Sequence, residues 1–405
     1  MNISGALTFH LSPTDTALNI VSVHSTRPFA TVQLMQGKPI QKALTTVPLL
    51  FSLCAKAQAV AAIRAIESAQ NTPASQTVER RRELLVLLET LREHLWRFLL
   101  DWPRYCQQEP DTTLASHCIQ LANSLMKQLE QHDNYLTQPG LTKALPLPRA
   151  IPQQLQQFVQ LINQHILLSD ADTFLTYNQA DFSTWLTQNE THLTRLYAYL
   201  DKNQWLNIGV TETTALPVLP DKQLIQRLDS NETDQFIARP SWDGAGQYET
   251  GAYAREYQHP LICQLRQKYG QTLWVRLVAR VIEIARIGSL LDNPLCNNAL
   301  LFYEGGLGAC EAARGRLYHR TTVEKGVIQY YRVLAPTEWN FHPQGAAAQA
   351  LATIHLDDEI SAQQQAHLCI HAIDPCVEHH VVLDTAVTPT SPSFTEDNHA
   401  RNVIM

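Results

Sequence analysis

Between Leu49 and Pro103 the chain carries two helical patterns back to back, and these restrict the fold more than any other feature. LLFSLCAKAQAVAAIRAIESA (49–69) has Ala, Leu, Val and Ile at helical spacings with no breaker, so it reads as a buried helix with Cys54 near its start. VERRRELLVLLETLREHLWRFLLDWP (78–103) is a long amphipathic helix that stops at Pro103. A helix that is apolar all round needs other elements to cover it. The same periodicity predicts them over 110–135, 153–168, 180–203, 221–236 and 271–291, and the Pro-rich LTKALPLPRAIPQ is a loop between bundle elements.

The first 48 residues read differently. ALTFHLS, LNIVSVHS and FATVQLMQGKPIQ are apolar, β-branched and broken by Pro, Gly and Asp, which predicts short strands and turns. After 291, VIQYYRVL and the turn PTEWN predict a β-hairpin returning from an Arg-bearing loop. A short helix, DEISAQQQAHLCIHAI, then leads to Asp374-Pro375-Cys376. The fold class is therefore α+β, mainly α, in a single domain over 1–383. It has a β-rich part (1–48), a helical core (49–291) and a C-terminal part (292–383), followed by a flexible tail over 384–405 rich in Ser, Thr and Pro.

A net charge of −7 argues against a nucleic-acid or anionic-membrane surface. No apolar run reaches the roughly eighteen residues of a membrane span, and the N-terminus lacks the charged-then-apolar order of a signal peptide. Eight cysteines without a CxxC pair read as reduced thiols of a cytoplasmic protein and exclude zinc-ribbon spacing. EGGLGAC lacks the Lys and the strand-to-helix context of a phosphate cradle. Cys106, Cys118, Cys263, Cys296, Cys310 and Cys369 sit in apolar or mixed contexts and read as structural.

That leaves DPCVEHH, in which Cys376 stands three residues before His379. Taken alone these are a core thiol and a half-exposed imidazole, and Cys54 is a small buried hydrophobe. Their surroundings change that reading, because the chain resembles the large subunits of nickel–iron hydrogenases across most of its length. The segment 27–67 resembles the approach to the family's N-terminal motif Arg-x-Cys-Gly-x-x-Cys. ARPSWDGAGQYETGAYARE is similar to its Glu-x-Gly-Pro-x-Ala-Arg segment. EAARGRLYH with VLAPTEWN resembles Glu-Ala-Pro-Arg-Gly…His…Pro-Thr-x-Trp-Asn, and DPCVEHHVV stands where the family has Asp-Pro-Cys-x-x-Cys-x-x-His.

The departures carry the function. The resemblance implies four thiolates around nickel and iron, and soft thiolates suit such a centre. Here the four positions are Phe51, Cys54, Cys376 and His379, with Leu49 and Gln58 in place of the motif's arginine and histidine. Arg314 and Asp374 fall on the outer-shell arginine and its carboxylate, Ala313 replaces a proline beside that arginine, and Pro336-Thr337 keep the turn that lines the diatomic ligands. This combination is similar to the HupK/HoxV group of hydrogenase assembly proteins. The resemblance implies a non-catalytic scaffold that receives the Fe(CN)2(CO) group transiently through Cys54 and Cys376, with His379 as a third metal ligand. Arg314 would orient the cyanides, and nickel is not expected. The implied partners are the large-subunit precursor and other maturation chaperones. A divergent redox enzyme and a metal-free structural mimic of the large subunit are the alternatives. With Val382 where the family's cleavage histidine would stand, the tail is expected to stay attached to Met405.

Overall fold

The structure is a computed structural model and describes residues 5–14, 18–244, 246–292, 303–356 and 358–384. Cys296 and nearly all of the tail fall outside these residues.

Strand β1 (Ala6–Ser12) pairs antiparallel with β2 (Ile20–Ser25), as the alternation predicts, and buries Leu7, Phe9 and Leu11 on one face. The third predicted strand is absent. Residues Phe29–Met35 form a 3-10 turn, and Pro39 then precedes helix α1 (Ile40–Leu50). In that stretch the buried residues Val32 and Met35 are three apart, the 3-10 spacing and not strand alternation. The β-rich part therefore ends before residue 29, and the helical core begins at Ile40 instead of Leu49.

The predicted helix 49–69 is not continuous. Helix α1 stops at Leu50, a 3-10 turn spans Ser52–Cys54, and α2 (Ala55–Gln70) leaves at 104° to α1. Phe51 and Cys54 both have φ −126°, outside the helical region, so the apolar run conceals a corner. From Ala57 to Glu67 every residue of α2 is buried. Part of its cover is a three-stranded antiparallel sheet of β3 (Leu307–Ala312), β4 (Gly315–Glu324) and β5 (Val327–Leu334), one strand more than the predicted hairpin. A Cβ at Gly308 would lie 2.3 Å from the Ala65 nitrogen and 2.4 Å from the Ala61 oxygen, so only glycine lets β3 pass this close to the helix.

Helix α3 (Gln76–Trp96) starts at Ser75, whose side chain accepts from the Val78 N–H. It does not stop at Pro103. A wider π-type turn over Arg97–Asp101 re-registers the ladder, and Pro103 lies in the first turn of a short helix over Trp102–Tyr105, where no N–H donor is needed. Helix α4 (Leu273–Asp292) is buried along most of its length. The predicted helix 180–203 breaks at Asn189–Thr191, where Thr191 makes a capping box with Thr194. The predicted helix 221–236 breaks between Leu228 and Thr233. Helix α5 (Glu359–Ile373) leads to β6 (Glu378–Leu383), which pairs parallel with β1 so that His379 lies beside Leu7. One apolar cluster extends from Leu7 to Ile373. Among the described residues no single helix is long and apolar enough to cross a membrane.

Candidate functional site

Two sulfurs from opposite ends of the chain meet beside the corner between α1 and α2. Cys54 is the N-cap residue of α2, and Cys376 follows the α5 cap by two residues; both are half-buried. They line two adjoining chambers. The inner one includes Gln58, Arg314, Pro336 and Thr337; the outer one includes Ser52, Leu53 and Glu338; Phe51 and Arg27 line both. Burial, with added repulsion from Cys376 and Glu89, pushes the Cys54 thiol up to about 12, so it carries its proton at neutral pH. The Cys376 sulfur lies 3.0 Å from the Thr337 hydroxyl, which Pro336 places by opening the short helix Pro336–Asn340.

A polar chain ends on Cys54. The Gln58 amide donates to the sulfur over 3.7 Å, its oxygen lies 2.9 Å from His319 Nε2, and His319 Nδ1 lies 2.7 Å from the Tyr331 hydroxyl. Burial depresses the His319 imidazole to about 3, so it is neutral, and the directions follow: Tyr331 O–H to Nδ1, Nε2–H to Gln58, amide to sulfur. The sequence marked Gln58 only as a departure; its role depends on a histidine 261 positions away.

That histidine makes a measurable pH dependence. A folded value below the unfolded value near 6.5 means that the unfolded chain takes up the proton first. Stability from His319 is therefore complete above pH 6.5 and declines as pH falls toward 3. Between pH 7 and pH 5 the loss is about 2 kcal/mol. Urea unfolding of the natural protein should thus fall by about that much more than that of His319→Gln across this interval. Equal declines would show that the imidazole is not held neutral.

Arg314 occupies the two-residue connection from β3 to β4, where Ala312 pairs with Gly315. A Cβ on Gly315 (φ +127°) would lie 2.4 Å from the Thr250 side chain, so the turn requires glycine. The arginine's Nε lies 3.3 Å from the Pro375 carbonyl and 3.6 Å from Asp374, and Nη2 donates to Glu93 over 3.1 Å. Nη1 is buried with no partner among the described residues. Burial opposes the charge of Arg314, yet Asp374 and Glu93 more than restore it.

Asp374 caps α5 in the left-handed region (φ 69°). Its carboxylate takes Arg97 at 2.9 Å, with Arg280 at 3.8 Å on the other oxygen. Burial resists ionisation, but Arg314, Arg97 and Arg280 hold the carboxyl well below its usual range. The π-type turn that the sequence does not announce is what supplies Arg97.

His379 does not join the thiols. β6 begins two residues after Cys376, and its pleat turns His379 toward α5, with Val381 and Leu383. There its Nε2 lies 3.1 Å from His367 Nδ1 and its ring 5.0 Å from that of His371. It lines neither chamber, so the predicted third ligand is misplaced. Among the described residues no three His, Cys, Asp or Glu side chains are grouped to hold a metal ion. Cys106, Cys118, Cys310 and Cys369 are buried free thiols, and Cys263 is half-buried.

The family model for nickel-dependent hydrogenase matches residues 217–381. Hydrogenase expression/formation protein HoxV of Cupriavidus necator is 28% identical, with 94% of this chain and 95% of that protein covered. HupV of Azotobacter chroococcum, also named a hydrogenase expression/formation protein, is 28% identical, with 94% and 98% covered. The chain is a near-full-length relative of the hydrogenase expression/formation proteins. An NAD+-reducing [NiFe]-hydrogenase in its H2-reduced state superposes with a TM-score of 0.57 at 17% identity, over 89% of this chain and 93% of that one. At that identity the likeness speaks for the fold alone, which is the mainly α, hydrogenase-large-subunit-like fold that the sequence resemblance implies. This chain thus has a hydrogenase-large-subunit-like fold, and that fold carries a phenylalanine and a turned-away histidine where the resemblance implies two of four thiolates.

Proposed function

We propose that this chain is a non-catalytic hydrogenase maturation scaffold. It holds the Fe(CN)2(CO) group as cargo on Cys54 and Cys376 and then passes it to the large-subunit precursor. The observation that carries this reading is the cavity itself: two convergent thiols, no third ligand among the described residues, and a buried guanidinium with one donor unspent.

Each part suits cargo and not a resident centre. Soft sulfur binds low-spin iron well, and binding expels the proton that Cys54 holds when unloaded. The planar N–H groups of Arg314 match the anionic nitrogen ends of cyanides. Phe51 offers no ligand for nickel. The precursor offers the full four-thiolate set that this chain lacks, which suits it to receive the group. The work belongs in the cytoplasm, where thiols stay reduced and other maturation chaperones can deliver the group.

Infrared spectroscopy tests this on protein purified without oxygen from a host that makes the cofactor. Cyanide and carbonyl stretches are expected, with iron and without stoichiometric nickel. Arg314→Lys should shift or broaden the cyanide bands, because an ammonium lacks the planar fork. Stoichiometric nickel with hydrogen uptake would overturn the reading in favour of a redox enzyme. An absence of bands in protein from a competent host would favour a metal-free structural role.

A further inference from the structure

Arg27 reaches the thiol cavity from a segment outside both cysteine-bearing motifs. It lies between β2 and the 3-10 turn, and its side chain is only 10% exposed. It lines the inner chamber with Arg314 and the outer chamber with Glu338, so it stands along the whole path between them. Its Nη1 donates to Glu338, and among the described residues no other group accepts from its guanidinium.

The geometry puts it beside the sulfurs, since both chambers that Arg27 lines are also lined by Cys54 and Cys376. Burial works against the Arg27 charge, and Glu338 leads the groups that more than compensate. Arg314 lines the inner chamber with the same two sulfurs, and its Nη1 has no partner among the described residues. Two guanidiniums and two thiols therefore line one chamber. The sulfurs alone could hold any soft metal. Two clustered cations would repel a bare divalent ion and favour one that presents anionic ligand ends.

We propose that Arg27 is a second cargo-positioning guanidinium, which together with Arg314 makes the cavity selective for a metal fragment bearing anionic ligands. This rests on the reading of the cavity as a cargo site. Glu338 holds the arginine in place while the cavity is unloaded and releases donors to the guest as it binds.

The test compares two thiol reagents of similar size on the purified, unloaded full-length chain. In each case a thiolate sulfur displaces iodide, from anionic iodoacetate or from neutral iodoacetamide. The rate ratio cancels thiol ionisation and reports the local preference for an anion. At Cys54 and Cys376, Arg27→Gln should lower the iodoacetate-to-iodoacetamide ratio on the order of 5- to 10-fold. Arg27→Lys should keep most of it, and Glu338→Gln should raise it. Cys263 is the internal control, and its ratio should not move.

A ratio unchanged in Arg27→Gln, or in Glu338→Gln if the arginine variant does not fold, would overturn the proposal and leave Arg27 as a structural partner of Glu338. In cargo-loaded protein, Arg27→Lys should also displace the cyanide bands; bands identical to those of the natural protein would overturn the positioning role. If the ratio falls but no loaded protein shows such bands, the anion-selective cavity stands and the cargo reading fails.

Discussion

Cys54→Ala and Cys376→Ala are each expected to abolish hydrogenase maturation in the host while leaving the protein folded. Both side chains are small and half-buried, so the expected stability loss is about 1–2 kcal/mol, within the ordinary range for one substitution. The Cys54 side chain makes no capping hydrogen bond to the start of α2, so that helix loses nothing locally. Among the described residues, the hydrogen bond that Cys376 gives up is the one with Thr337. The functional loss has a different origin. With no third ligand among the described residues, removing either sulfur leaves a single thiolate, which cannot retain an iron fragment. Complementation of a deletion strain, scored by hydrogenase activity and read beside thermal unfolding, separates the two effects. Normal maturation with both variants would end the cargo hypothesis.

Asp374→Ala should cost about 3–5 kcal/mol, because it removes the buried carboxylate that Arg97, Arg280 and Arg314 surround. The left-handed backbone at this position (φ 69°) adds to the penalty for alanine. Asp374→Asn tolerates that backbone and keeps one acceptor oxygen for the guanidiniums, so it should lose less. The folded carboxyl is held below its unfolded value, so its contribution is complete above about pH 4 and disappears as pH falls further. The gap in urea midpoint between the natural protein and Asp374→Ala should therefore be widest near pH 7 and narrow below pH 4. Equal midpoints at pH 7 would mean that the three guanidiniums find sufficient partners elsewhere.

Hydrophobic spacing located the long helices because burial of one face is a local property of the pattern. It could not reveal the corner at Phe51, since a run apolar on both sides of a turn reads as one helix. The mistaken strand at 29–41 has a similar cause: Val32 and Met35 are buried at 3-10 spacing, and composition favoured the wrong period. His379 failed for a geometric reason. Motif position aligned it with a ligand, whereas pairing of β6 with β1 set the pleat that points it toward α5.

The sequence by itself determined the fold class, and its resemblance to a family singled out Cys54 and Cys376 and implied that two of four thiolates are replaced, since each is a matter of residue type and order. Only the tertiary structure decided that Cys54 and Cys376 share one cavity, that Gln58 is held by His319 and Tyr331, and that Arg97 and Arg27 belong to the same charged surround. Those contacts join residues far apart in sequence, and packing and low dielectric act on distance in space, to which local pattern gives no access.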